Sequence, residues 1–346
     1  MTNDQEILFE RRGAAGIVTL NRPQALNAVT HAMVLALRTQ LDAWANDDVV
    51  TRVIVTGAGT RAFSAGGDIK HLYDLGQAGQ HDEMLQFWRD EYPLNAAIKR
   101  YRKPYIALID GIVMGGGVGV SLHGSHRVAG DRFSFAMPEV GIGFFPDVGA
   151  TWFLPRMPGE LGTYCGLTGE RFNAAEALAA GVATHRIASA RFSELIDALT
   201  RTDPVDTVLA AFAEPAGEGA IMAHRAEIDR LFAQRRVEDI LAALDGQQDD
   251  WTQKTAAIIR TKSPTSLKIA LQQVRRGGRW DFATCMQAEY RIVSRIVHER
   301  DFYEGVRAVI VDKDNAPRWQ PAALADVSDA DVERHLAPLP AELDLA

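Results

Sequence analysis

Two carboxylates in an apolar segment have the residue types and the setting that chemistry requires. Residues 135–149 place Glu139 and Asp147 eight positions apart among apolar, glycine and proline residues. A carboxyl group in an apolar pocket has a raised pKa and can exchange protons near neutral pH. Such acids can equally cap a loop, and the residues alone favour this structural interpretation by about two to one. Both interpretations stay open at this level.

A third carboxylate, Glu91, lies in the helical segment at residues 87–92. It is either a surface charge or a polar group that points inward. The pattern of this segment by itself favours the surface position.

Two glycine-rich segments can present backbone N–H groups to a ligand. Residues 61–69 and 110–119 each follow a predicted strand, and each has small residues around a central glycine, Gly67 or Gly116. Exposed N–H groups at such turns suit an anion or a polarised carbonyl. For any single glycine, a tight loop is the better interpretation. Neither segment has the spacing of a phosphate loop or a dinucleotide-binding loop, so a nucleotide cofactor is not supported.

Composition limits the class of protein. The chain has 346 residues, 47% of them apolar and 24% charged, as expected for a globular protein of one large domain with an appendage or of two domains. Its formal charge of −8, with acids and bases mixed, argues against a nucleic-acid binder. The two cysteines, Cys165 and Cys285, have neither disulfide nor metal-site spacing. We therefore expect a reducing, cytoplasmic setting, no metal and, without a leader pattern or long apolar run, no membrane association.

The hydrophobic pattern predicts an α/β region followed by a helical one. Strands are predicted at residues 16–20, 53–56 and 105–109, with a helix at 30–46. Beyond residue 190 the pattern is helical, with helices at 192–199, 220–233 and 264–276, the last opened by Ser263 as N-cap. The predicted domains are therefore residues 1–190 and 191–346.

Four ordered segments resemble the crotonase superfamily of enoyl-CoA hydratases and isomerases. They are LNRPQALNA at 20–28, AFSAGGDI at 62–69, KPYIALIDGIVMGGGVGV at 103–120 and MPE at 137–139. The resemblance covers residues 7–190 and resumes at residues 301–307. It implies a crotonase-like spiral of ββα units, here with a helical C-terminal region, which binds a coenzyme A thioester.

The resemblance also assigns binding roles to matching positions. It implies that the N–H groups of Gly67 and Gly116 form an oxyanion hole for the thioester carbonyl. It further implies a coenzyme A site in which Arg22 and the backbone at Ala25 approach the phosphates, although Arg22 is equally explained as a surface arginine. The residues expected to border the adenine are Ala65, Asp68 and Ile69.

The sequence departs from the hydratases at Gly119. Hydratases that this chain resembles carry a glutamate there, which acts together with the glutamate at the position of Glu139. Without it, hydration would lack half of its acid–base pair, which is commonly worth about 10²–10⁴ in rate. Asp147 stands where hydratases tend to have a small residue, and this feature is similar to the 3-hydroxyisobutyryl-CoA hydrolase subgroup.

Membership of that subgroup would imply hydrolysis of a short branched hydroxyacyl-CoA, most similar to the 3-hydroxyisobutyryl-CoA of valine degradation. Glu139 and Asp147 would be catalytic, and both would bind the substrate together with Glu91 and Gly116. Coenzyme A would be part of the substrate, with no separate cofactor, and a homo-oligomer is possible. The alternatives are an enoyl-CoA hydratase or isomerase and, more remotely, a non-catalytic acyl-CoA-binding protein.

Overall fold

The structure, a computed structural model, describes residues 5–345. Expectations that involve residues 1–4 and Ala346 lie outside this range. Within it the strands are β1 (Ile7–Arg12), β2 (Ala15–Leu20), β3 (Arg52–Gly57), β4 (Ala62–Ser64), β5 (Tyr105–Ile109), β6 (Ile112–Val113), β7 (His126–Ala129), β8 (Ser134–Phe135) and β9 (His185–Arg186).

The strands form two sheets that the chain visits alternately. One sheet has six strands in the order β1-β2-β3-β5-β7-β9, and the other has three in the order β4-β6-β8. Apart from the antiparallel β1–β2 pair, neighbouring strands run parallel. Each of β3, β5 and β7 is followed by a strand of the smaller sheet, so the chain advances as a spiral. The predicted α/β architecture of repeated ββα units is confirmed.

The described residues also form seventeen α-helices. The first nine are α1 (His31–Ala45), α2 (Ile69–Gln77), α3 (His81–Lys99), α4 (Gly116–Gly119), α5 (Ala150–Phe153), α6 (Leu161–Thr168), α7 (Ala174–Ala179), α8 (Phe192–Leu199) and α9 (Val205–Phe212). They are followed by α10 (Ala220–Ala223), α11 (Arg225–Leu231), α12 (Val237–Asp245), α13 (Asp250–Arg260), α14 (Pro264–Gly277), α15 (Phe282–Ile296), α16 (Arg300–Val306) and α17 (Asp329–Leu336). None of the helices within residues 5–345 combines the length and the apolar content that a membrane crossing needs.

The chain divides into two compact units, and both are discontinuous in sequence. The first comprises Met1–Asp68, Pro93–Phe135 and Arg171–Met222, and the second comprises Ile69–Tyr92, Ala136–Glu170 and Ala223–Ala346. Both sheets belong to the first unit. Helices α8 and α9 join it as well, although they lie beyond the boundary predicted at residue 190. Their apolar residues Leu195, Leu199 and Leu209 pack in one cluster with sheet residues such as Ile54 and Ile106, which explains the grouping.

Local signals fix several helices where the sequence predicts them. Thr30 caps α1 by accepting a hydrogen bond from the Met33 N–H, and Ser263 caps α14 in the same way through the Ser266 N–H. The helix predicted at residues 220–233 is instead two helices, α10 and α11. They are interrupted at His224, whose ring stacks on Trp251 with the ring centroids 4.3 Å apart.

Candidate active site

The first unit holds two backbone donors with no acceptor of their own. Val29 pairs with Gly67 in a short parallel bridge that uses the Gly66 carbonyl and the Asp68 N–H, so the Gly67 N–H stays outside the pairing. Gly116 is the first residue of α4, where helical N–H groups lack an intrahelical acceptor. Neither N–H donates to any atom within residues 5–345.

The turns that carry these donors lie side by side. A Cβ atom added to Gly66 would come within 3.9 Å of the Gly116 nitrogen, and one added to Gly117 would lie 2.5 Å from the Ser64 carbonyl oxygen. Side chains at these positions would block the approach of a ligand atom or displace the neighbouring backbone. Packing therefore requires glycine at position 117, whereas Gly66 is required by its φ of 121°.

A buried asparagine supports the loop before the Gly67 turn. Asn27 is fully buried, and its side-chain amide donates to the carbonyls of Ala58 and Ala62 at 2.9 and 3.0 Å, while its oxygen accepts from the Arg22 N–H at 2.9 Å. Its φ of 54° lies in the left-handed region, which asparagine tolerates better than most residues. The Ala65 N–H donates to the Leu26 carbonyl at 2.9 Å, which ties this loop to the turn.

Replacement of Asn27 by alanine is expected to destabilise the protein by about 2–3 kcal/mol, because buried carbonyls lose their donors and alanine disfavours positive φ. Urea unfolding of Asn27→Ala measures the effect. Asn21→Ala is the matched control, since Asn21 makes one exposed hydrogen bond to the Gln5 carbonyl. Equal midpoints for the two variants would contradict this role for Asn27.

The residues predicted to bind coenzyme A lie close to one another in the first unit, apart from Ile69, which begins α2 in the second. The Arg22 guanidinium donates to the Asp68 carboxylate at 2.9 Å and to the Ala28 carbonyl at 2.9 Å, and it pairs with Glu6 at 3.0 Å. Arg22 is therefore a fixed residue with two acidic partners rather than a free surface arginine. Any phosphate that it binds must compete with those carboxylates. Its contact with coenzyme A stays a prediction.

In the second unit, Asp147 is buried against the aromatic residues of α3. The side chain is 4% exposed, and its Oδ2 accepts a hydrogen bond from the Tyr92 hydroxyl at 3.0 Å. The carboxylate also accepts a hydrogen bond from the Trp88 side chain. Burial raises the pKa of Asp147 to about 7, although these hydrogen bonds act in the opposite direction. Asp147 can thus be protonated or ionised near neutral pH.

Two further carboxylates share the surroundings of Asp147. Burial raises the pKa of Glu91 well above its ordinary value, and the charges of Asp147 and Glu289 raise it further. Glu91 is 1% exposed, so the surface position favoured by the sequence is wrong. Helix α3 also buries Trp88 and Tyr92, which lie one turn apart. Glu91 lies on the same buried face of the helix. Its Oε1 has no hydrogen-bond partner within residues 5–345.

The Glu139 segment is held by its own turn and by two neighbouring segments. Glu139 is 6% exposed and opens a short 3₁₀ turn, and its carbonyl accepts from the Phe144 N–H at 3.0 Å. Gly143 closes the turn at φ 67°, where an added Cβ would lie only 2.0 Å from the Asp301 carbonyl oxygen. Burial raises the pKa of the Cys165 thiol, and the charge of Glu139 raises it further. Cys165 is therefore a neutral neighbour of Glu139.

Sequence reasoning missed three contributors to this site. Tyr92 and Trp88 stand in the segment that drew attention to Glu91, and their spacing of four residues on a helix was the available signal. Glu289 lies in α15, more than a hundred residues away in sequence, and nothing in its local pattern marks it.

The family of the chain follows from comparison with known proteins. A family model described as enoyl-CoA hydratase/isomerase matches residues 15–336. The chain belongs to the enoyl-CoA hydratase/isomerase family. The family resemblance predicted from the four motifs is thereby confirmed.

Curated relatives within the enoyl-CoA hydratase/isomerase family are similar over nearly the whole chain. A Danio rerio protein named 3-hydroxyisobutyryl-CoA hydrolase, mitochondrial, is 43% identical over 339 residues, which cover 95% of this chain and 88% of the relative. The Homo sapiens protein of the same name is 39% identical, with 97% and 89% covered.

Solved structures of the enoyl-CoA hydratase/isomerase family share the fold but carry other names. A Mycobacterium thermoresistibile structure described as a carnitinyl-CoA dehydratase has a TM-score of 0.95 and 42% identity, covering 99% of each chain. A Rhodobacter sphaeroides 2.4.1 structure described as an enoyl-CoA hydratase has a TM-score of 0.93 and 38% identity, covering 98% of this chain and all of that one. The crotonase-like fold is therefore confirmed.

Proposed function

We propose that this protein hydrolyses the thioester of 3-hydroxyisobutyryl-CoA to 3-hydroxyisobutyrate and free coenzyme A, a step of valine degradation. The observation that carries the proposal is the shared name of curated relatives that are about 40% identical over almost the full chain. Gly119 and Asp147 support it, because the first removes one of the two carboxylates of a hydratase and the second supplies a buried acid elsewhere.

In the proposed reaction, the thioester oxygen accepts hydrogen bonds from the N–H groups of Gly67 and Gly116. Support comes from the absence of any other acceptor for these groups within residues 5–345. Donors that are already oriented stabilise the negative charge that develops on the oxygen, and removal of one such donor commonly costs about 3–4 kcal/mol of transition-state stabilisation. The carbonyl carbon thereby becomes open to attack.

Glu139 then acts on the activated carbon in one of two ways. As a nucleophile, its carboxylate displaces the coenzyme A thiolate to form a mixed anhydride, which water cleaves to the free acid. As a general base, it takes a proton from water, which attacks the carbon directly. Both routes consume one water and release one thiol and one carboxylic acid.

Asp147 and Glu91 have supporting roles in this proposal. With a pKa of about 7, Asp147 can give its proton to the departing thiolate or orient the attacking water. Glu91 would either accept a hydrogen bond from the 3-hydroxyl of the substrate or support Glu139, and its Oε1, which has no partner within residues 5–345, supports the first role. The mechanism uses no metal and no redox cofactor, and both absences stay predictions.

The second candidate is an enoyl-CoA hydratase or isomerase, and the description of the Rhodobacter sphaeroides structure as an enoyl-CoA hydratase favours it. It would have to use Glu139 with Asp147 in place of the carboxylate that Gly119 lacks. We rank it second because Gly119, the last residue of α4, has no side chain that could exchange protons.

Setting and assembly belong to the proposal as well. A cytoplasmic location was predicted from the two cysteines, which are both buried thiols. The curated relatives are named mitochondrial, so the compartment stays a prediction. The possible homo-oligomer also stays a prediction.

Release of free thiol by the purified protein tests the function. We expect turnover of 3-hydroxyisobutyryl-CoA and a loss of about 10²-fold or more with isobutyryl-CoA, because a site built to bind a hydroxyl rejects the analogue that lacks it. Crotonyl-CoA is the control for hydration, which consumes the double bond and leaves the thioester intact. Rapid loss of the crotonyl absorbance without thiol release would favour the hydratase instead.

A further inference from the structure

The turn that follows Asp147 is held in a conformation that its residues do not favour. Val148 has φ 51° and Gly149 has φ 91°, so two successive residues are left-handed. A β-branched residue at positive φ is a genuine outlier, and such outliers persist only where surrounding structure enforces them. The turn closes with a 3.0 Å hydrogen bond from the Ala150 N–H to the Asp147 carbonyl. Asp147 is therefore the first residue of a turn whose shape depends on the unusual conformation of Val148.

Glu289 binds the part of this turn that follows Val148. Its two carboxylate oxygens accept hydrogen bonds from the N–H groups of Gly149 at 2.7 Å and Thr151 at 2.8 Å. The side chain is fully buried, so water does not compete for these bonds. A carboxylate is suited to this role because both of its oxygens accept, whereas an amide presents one acceptor and one donor.

A second buried side chain, which belongs to α14, also forms hydrogen bonds to the turn. The Gln273 amide nitrogen donates to the Pro146 carbonyl at 3.0 Å and to the Thr151 hydroxyl oxygen at 2.8 Å. Gly277 of the same helix lies so close that an added Cβ would come within 1.8 Å of the Thr151 carbonyl oxygen. The turn is thus held on both sides of Asp147, by α14 and by α15.

The charges around Glu289 connect it to the chemistry rather than to packing alone. Burial raises the pKa of Glu289, and the charge of Asp147 raises it further. Burial is also the main cause of the raised pKa values of Glu91, Tyr92 and Cys285, to which the charge of Glu289 adds. Asp147 and these three groups are each neutral or negatively charged. None of them can therefore offset the charge of the buried Glu289 carboxylate. A buried acid beside two others carries an electrostatic cost, which its hydrogen bonds to the turn must offset.

We propose that Glu289 is a positioning residue, whose carboxylate fastens the left-handed turn at residues 148–149 and so directs the Asp147 carboxyl toward its place in the reaction. This assignment rests on the proposed hydrolase function. Glu289 touches the backbone of the turn and acts through Asp147.

Glu289→Gln tests the proposal. The variant keeps the size of the side chain but places its amide N–H group against a backbone N–H group of the turn, so that one hydrogen bond is lost. We expect kcat for thiol release to fall about 10²-fold with KM nearly unchanged, as misplacement of a catalytic group by about 1 Å can cost that much. The pH profile of kcat should also change, because burial raises the pKa of Glu289 to about 8 and the amide that replaces it does not ionise beside Glu91. Glu289→Asp, which retains two acceptor oxygens on a shorter stem, should restore part of the activity and replaces Glu289→Gln if that variant fails to fold.

Glu176→Gln is the matched control. Glu176 is a buried carboxylate of the first unit that likewise accepts two backbone N–H bonds, from Asn173 at 2.7 Å and Ile221 at 2.9 Å. Its variant should lose stability while the folded protein keeps its kcat. If Glu289→Gln behaves in the same way as Glu176→Gln, Glu289 is only a structural anchor and the proposal is overturned.

Crystal structures of the wild type and Glu289→Gln separate this proposal from the function itself. Loss of the left-handed Val148 conformation or of the Tyr92–Asp147 hydrogen bond in the variant supports positioning, whatever substrate the enzyme uses. An unchanged turn overturns it. Failure of the wild type to release thiol would reject the proposed function and leave this structural comparison intact.

Discussion

Glu139→Gln is expected to reduce thiol release from 3-hydroxyisobutyryl-CoA by about 10³-fold or more, whether Glu139 is nucleophile or general base. The amide has almost the same size as the carboxylate but neither attacks the thioester nor accepts a proton. The turn at Glu139 is held by backbone hydrogen bonds, so the variant should fold normally. Substrate should still bind, and KM should change little. Steady-state kinetics together with a thermal unfolding curve measure both expectations.

Glu170→Gln is the matched control for this variant. Glu170 lies in the same unit and next to Gly169, which packs on Pro138 just before Glu139, but it is only partly buried. Its variant should retain the activity of the wild type. If Glu139→Gln keeps more than about a tenth of the wild-type kcat, Glu139 does not perform the proton transfer or attack assigned to it.

Asp147→Asn is expected to reduce activity and increase stability at the same time. Thiol release should fall by about 10²–10⁴-fold, because the amide gives no proton to the thiolate. The free energy of unfolding at pH 8 should rise by about 2–4 kcal/mol, because the folded wild type must then hold an ionised carboxylate in a buried site. A gain of stability with a loss of function is typical of a residue retained for its chemistry.

The direction of the pH effect follows from the raised pKa. In the unfolded chain Asp147 ionises near its ordinary pKa of 3.8, whereas in the folded protein it ionises near 7. Between these values the folded state binds the proton more tightly, so the contribution of Asp147 to stability is fully present below about pH 4. It is lost as the pH rises through about 7. Asparagine does not ionise, so the Asp147→Asn variant keeps its stability over this range. The free energies of unfolding of the variant and the wild type should therefore diverge as the pH rises.

Urea unfolding at pH 5 and pH 8 measures the divergence. Asp301→Asn is the matched control, because Asp301 is also a buried aspartate of the second unit with a raised pKa, and its carboxylate accepts from Ser263 and Gln320. Loss of those hydrogen bonds should destabilise Asp301→Asn, and its activity should remain. Equal pH dependence in Asp147→Asn and the wild type would show that Asp147 is not a buried titrating acid.

The sequence predicted the parts of the molecule that short segments determine. Strand β5, helix α8 and the Ser263 cap each depend on a local pattern of apolar residues or on one capping side chain, and each is confirmed. The glycine turns at Gly67 and Gly116 were also found, because only small residues permit such a close approach of two backbones. The positions of their N–H groups followed from the family resemblance.

Features that depend on distant segments could not be read from the sequence. The pattern of its own segment favoured a surface position for Glu91, and only the packing of α3 shows that it is buried. Glu289 reaches the turn after Asp147 through a fold that brings Gly149 and Glu289, 140 positions apart, into contact. The break at His224 has the same cause, since its ring is held by Trp251. In each case a tertiary contact overrides the local pattern.

Hydrolysis in water enriched with ¹⁸O tests the central claim most directly, because the position of the label in the product identifies the bond that water attacked. Purified protein would be incubated with 3-hydroxyisobutyryl-CoA, and the products analysed by mass spectrometry. We expect free coenzyme A in equal amount to 3-hydroxyisobutyrate, with ¹⁸O in the carboxyl group. Label in the 3-hydroxyl group of an intact thioester would mean that the enzyme dehydrates and rehydrates its substrate, and it would contradict the hydrolase.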